Sequence, residues 1–88
     1  MNAAIRYGRQ DVAWAFGLAL RVARDAQGMS QDQLSETCDM DRTYPSLLER
    51  GLRAPTVTML LRLACALGVA PEQLVADTVE RLRSGTQS

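Results

Sequence analysis

Histidine is absent from this chain, and so is lysine. Losing imidazole removes the side chain that most often moves protons near neutral pH, and the usual activator of a nucleophilic serine or cysteine. Only two cysteines occur, Cys38 and Cys65. Without histidine or paired thiol spacing they do not make a zinc site, and both are expected to be buried as small apolar residues. Aromatics are scarce, with one Trp, two Tyr and one Phe, so a core must come from Leu, Ala and Val on packed helices. No apolar run approaches the length of a membrane span, and the opening residues Met-Asn-Ala-Ala-Ile-Arg lack a signal-peptide pattern. These absences lead us to expect a cytoplasmic protein with no membrane segment, no metal, no cofactor and no enzymatic activity.

Net charge is missing as well. Ten arginines face ten carboxylates. Residues 1–28 carry four arginines and two aspartates, while residues 29–55 carry three arginines and five acids. The remainder is neutral. A nucleic-acid binder often shows a basic excess, and this chain has none. Any phosphate contact must therefore come from a few placed arginines and from helix N-termini.

Eighty-eight residues suffice for one domain, and one so small buries limited surface, so a partner subunit is a natural source of stability. Residues 1–10 show no clear period and are expected to form a flexible arm. The rest reads as five helices, an all-α domain over residues 11–83, with a disordered tail at 84–88. Asp11 can cap a first helix that runs to about Gln27 and stops at Gly28. Its Phe16, Leu20 and Ala23 line one face, with Val12, Ala15, Ala19 and Val22 apolar elsewhere, which predicts burial on more than one side.

Ser30 and Gln33 make a capping box at the start of a second helix ending near Thr37. Leu34 and Cys38 point inward, Asp39 suits a left-handed turn residue, and Met40 plugs the core. Asp41 can cap a third helix that runs to Arg50 and stops at Gly51, with Leu48 and Pro45 on its inner side. A fourth helix opens after Pro55 on a Thr56 cap and ends at Gly68. Val57, Leu60, Leu61, Ala64 and Leu67 form its expected stripe. Pro71 opens a fifth helix, 71–83, at the position proline tolerates best, and Leu74, Val75, Thr78, Val79 and Leu82 share a face.

Residues 30–51 thus read as two short helices joined by a tight turn. Together with Gly28-Met29-Ser30-Gln31, Leu34, Asp41-Arg42-Thr43-Tyr44, Ser46, Leu48-Glu49-Arg50-Gly51, Pro55 and Leu63-Ala64-x-Ala66-Leu67-Gly68-Val69, they resemble the Cro/repressor-type, Xre-like helix-turn-helix family. The match is gap-free across the motif and extends over about residues 16–76. The Asp-Arg-Thr-Tyr stretch is also similar to restriction–modification controller proteins, a resemblance resting on four residues.

The resemblance implies a lambda-repressor-like fold whose third helix enters the major groove of double-stranded DNA. Arg42 and Thr43 would face base edges first, with Ser46 and Leu47 next; arginine matches guanine O6 and N7, and threonine can touch a thymine methyl. Gln31 would meet a phosphate at the start of the second helix, and Tyr44, Arg50 and Arg53 would hold the backbone elsewhere. Arg24 and Glu49 sit where relatives form an internal ion pair. Pro45 departs from the family pattern: counted from an Asp41 cap, it would loosen the first turn, unless the regular helix begins later than Arg42. Either way it is expected to re-aim Arg42 and Thr43.

One recognition helix reads few base pairs, so a homodimer on a palindrome is expected, with Leu74, Thr78, Val79 and Leu82 as its interface unless that stripe closes the monomer's own core. The implied function is a sequence-specific transcriptional regulator, a repressor. The alternatives are an antitoxin with a toxin partner, a restriction–modification controller protein, and an RNA-binding or coactivator role.

Overall fold

The computed structural model describes residues 7–85, and among these it contains five helices and no strand: α1 Arg9–Ala26, α2 Gln31–Cys38, α3 Tyr44–Glu49, α4 Val57–Leu67 and α5 Pro71–Gly85. Of the arm expected over 1–10, residues 1–6 lie outside the described residues, and Arg9 and Gln10 already belong to α1. Of the tail expected over 84–88, residues 86–88 lie outside, and α5 continues to Gly85. The start of α1 differs from expectation. Gly8 is the N-cap residue and Asp11 sits in the first turn, where its negative charge favours the positive end of the helix dipole.

Helix α1 is the spine, packed against α3 and α5. Phe16 and Leu20 are buried on it together with Ala13, Ala15, Gly17 and Ala19, while Val22 is exposed. Gly17 marks the closest approach. A methyl group there would collide with the backbone carbonyl oxygens of Leu48 and Glu49, so only glycine lets α3 lie this near to α1. Gly51, at φ +73°, ends α3 in the left-handed region and rests on the backbone of Trp14.

The core joins Phe16, Leu20, Leu34, Leu48, Leu63, Leu67 and Leu74, with Met29, Met40 and Tyr44 partly buried around it. Each such leucine withdraws surface worth about 1.5–3 kcal/mol from water. On α4 the buried set is Leu63, Ala64 and Leu67, with Leu60 partly covered, whereas Val57 is 74% exposed and Leu61 faces outward. The expected stripe was rotated because α4 is apolar on almost every side, and period alone cannot choose between 57-60-61-64 and 60-63-64-67. On α5, Leu74, Thr78 and Leu82 are buried inside the monomer, while Val75 is exposed. Cys38 is buried and burial pushes its thiol up, but Cys65 is exposed, contrary to expectation.

Candidate nucleic-acid interface

Helix α2 begins with the capping box. Ser30 Oγ accepts from Gln33 N at 3.0 Å, and Ser30 N donates to Gln33 Oε1 at 2.8 Å. Asp39 then ends α2 in the left-handed conformation, φ 53°, and Met40 N donates back to Ser35 O at 3.0 Å. This turn sets the angle between α2 and α3.

Helix α3 is shorter than expected. Asp41 does not cap it; its Oδ1 instead accepts from Thr43 N at 2.9 Å and Thr43 Oγ1 at 2.6 Å. Tyr44 N donates to Asp41 O at 3.0 Å, so residues 41–44 close a turn before the helix. The two Thr43 donors, the hydroxyl foremost, hold the Asp41 carboxyl below its ordinary range. Thr43 occupies the N-cap position and Pro45 lies in the first turn, where no intrahelical partner exists for its nitrogen. Of the two outcomes proline allowed, the later helix start is the one adopted. Pro45 itself is buried.

Arg42 and Thr43 consequently stand on an exposed turn just ahead of α3. Arg42 Nε lies 3.3 Å from Asp32 Oδ1, an ion pair whose arginine side chain is 81% exposed. Asp32, in the first turn of α2, was not legible as a site residue, since an acid there is already explained by the helix dipole. Ser46 and Leu47 are half-buried on α3, and Tyr44 leans against the core. Arg50 and Arg53 are exposed beyond the helix.

Behind this surface lies the pair that joins α1 to α3. Arg24 Nε donates to Glu49 Oε2 at 2.6 Å and Arg24 Nη2 to Oε1 at 3.0 Å, a two-pronged contact. Arg24 Nη1 also donates to Met29 O at 2.7 Å. The Glu49 side chain is only 4% exposed. Its hydrogen bonds raise the Arg24 guanidinium above its ordinary range, against the desolvation that burial imposes. Gln31 Nε2 donates to Glu49 Oε1 at 3.0 Å, which fixes the amide at the mouth of α2 and leaves its second N–H free for a ligand.

The neutral total charge conceals a division of labour. Glu49, Asp32, Asp25 and Glu80 are each in an ion pair with an arginine, whereas Arg9, Arg50 and Arg53 form none among the described residues. No group of metal-ligating side chains is gathered among the described residues, and no single described helix is long and apolar enough to cross a membrane.

A turn with exposed Arg42 and Thr43, carried between two short helices and braced by a buried ion pair, defines a helix-turn-helix. The family model described as Helix-turn-helix matches residues 20–74. The chain belongs to that family and is a transcription regulator. It is 37% identical over 79 residues to a hypothetical transcription factor of Neisseria meningitidis, covering 90% of this chain and 74% of the relative. It is 39% identical over 64 residues to the control protein C.BamHI of Bacillus amyloliquefaciens, covering 72% and 79%. Among solved structures, the clp gene regulator ClgR of Corynebacterium glutamicum superposes with a TM-score of 0.81 at 25% identity, over 85% of this chain and 80% of that one.

Proposed function

We propose that the chain is a cytoplasmic repressor that binds a palindromic operator as a homodimer, with Arg42 and Thr43 reading bases. The observation that carries this is their placement: both stand on one exposed turn, held by Asp32 and Asp41, with Gln31 to one side and Arg50 and Arg53 beyond α3. Ser46 and Leu47 face the same groove one turn later, and Tyr44 steadies the turn from below. Pro45 delays the helix, so Arg42 and Thr43 approach bases from outside its regular part. Arg24 and Glu49 support the surface and touch no base.

The dimer surface is redrawn from the expected one. Leu74, Thr78 and Leu82 are occupied by the monomer's own core. The exposed Val57, Leu61 and Val75 remain, beside an apolar groove of about 210 Å³ that Val79 lines. These residues form the self-association surface. The similarity to C.BamHI favours one second reading, a controller of a restriction–modification system, which uses the same site. No observation favours a toxin partner.

Selection of bound duplexes from a random DNA library tests the proposal. Enrichment of a palindrome with half-sites about one helical turn apart is expected. Weak, salt-sensitive binding with no enriched sequence contradicts it.

A further inference from the structure

Helix α1 packs along the recognition helix in a defined order. Gly17 abuts the end of α3 at Leu48 and Glu49, and Trp14 abuts Gly51. One turn further toward its start, Arg9, Gln10 and Ala13 meet Gly51, Leu52, Arg53 and Ala54 around an open concavity of about 530 Å³. No carboxylate lines it. Arg9 and Arg53 are both exposed, and neither forms an ion pair among the described residues. In a chain where four acids are drawn into ion pairs with arginine, two arginines without such a partner lining one hollow is an arrangement an anion would relieve. Asp11, the acid nearby, lies against Gly8 and does not line the hollow.

We propose that Arg9 and Arg53 form a clamp for the DNA sugar–phosphate backbone, with Gln10 beside them, just beyond the end of α3. The proposal rests on the DNA-binding reading above and adds Arg9 and Gln10 to it. The ligand is a phosphodiester, because the hollow offers two planar cationic forks and an amide but nothing that distinguishes one base from another. Its role is to extend the backbone contact past the end of α3, where Gln31 is already anchored on Glu49.

The test compares the full-length chain with Arg9→Gln, Arg53→Gln, Arg9→Lys and, as a distant control, Arg62→Gln, on a selected duplex and on random DNA over a range of salt. Each neutralised arginine of the clamp should make the salt dependence shallower by about 0.9 per protomer. Affinity should fall equally on both DNAs, base preference should persist, Arg9→Lys should restore the slope, and Arg62→Gln should leave it unchanged. Thermal unfolding of Arg9→Gln should match the wild type, since Arg9 is exposed and unpaired. Replacing single phosphates with neutral methylphosphonates should reveal one whose neutralisation weakens the wild type but not Arg9→Gln. An unchanged slope for Arg9→Gln beside a wild type that binds selectively overturns the clamp alone. A wild type with no affinity for DNA overturns the clamp and the functional reading together.

Discussion

Glu49 is a carboxylate almost removed from water, and three hydrogen bonds from Arg24 and Gln31 reach it there. Removing one member of a buried pair strands the other, at a cost of about 3–5 kcal/mol. Arg24→Ala is therefore expected to lower stability by that order in denaturant unfolding, and any loss of DNA affinity in this variant reports folding. An unfolding midpoint near that of the wild type would show that Glu49 is solvated after all. At Asp41 the effect is milder and depends on pH. Its folded pKa lies below the ordinary value, so its contribution is complete above the ordinary carboxylate range and disappears as pH falls through the depressed folded value. The Thr43 amide resonance should follow that titration in acid and stay constant around neutrality; a midpoint at or above the ordinary aspartate value would mean the turn is open.

At the scale of elements, α1 and α3 are fixed by how closely their backbones approach. Gly17→Ala improves helix propensity by about 0.5–1 kcal/mol but drives a methyl group into two carbonyls. Overpacking of this kind costs about 1–3 kcal/mol, and rigid backbone gives way less readily than side chains, so the net effect should be a lower melting temperature. A melting temperature equal to or above the wild type would show that α3 can move away freely. Nothing in the residues around Gly17 announces this contact, because it depends on which helix crosses there. The capping box at Ser30, the left-handed Asp39 and the Thr56 cap were legible, since each is a local hydrogen-bond or backbone requirement. The start of α3 was half legible: Pro45 signalled two outcomes, and the Asp41–Thr43 bonds decided between them. The outward turn of Val57 and Leu61 was not legible, because α4 is apolar on nearly every side. The base-facing set came from the family resemblance, while Asp32 beside Arg42 required the fold.

For the molecule as a whole, neutrality and DNA binding are compatible because backbone contacts need only a few placed arginines. Four carboxylates pair with Arg21, Arg24, Arg42 and Arg83, while Arg9 at the start of α1 and Arg50 and Arg53 after α3 form no ion pair among the described residues. In the proposed dimer, the exposed Val57, Leu61 and Val75 would give the second copy a place to dock away from the core. Val75→Glu should shift sedimentation from dimer toward monomer without unfolding the chain, as Val75 is exposed; an unchanged sedimentation coefficient would move the interface elsewhere. The central claim, that the turn before α3 reads sequence, is tested most directly at Arg42. Affinities of the wild type and Arg42→Ala should be measured on the selected duplex and on each of its single base-pair variants, at one salt concentration. Arg42→Ala should lose about 1–3 kcal/mol of discrimination at one position in each half-site and keep its preferences at the others. An equal loss at every position, with all preferences intact, would contradict it and make Arg42 a backbone contact.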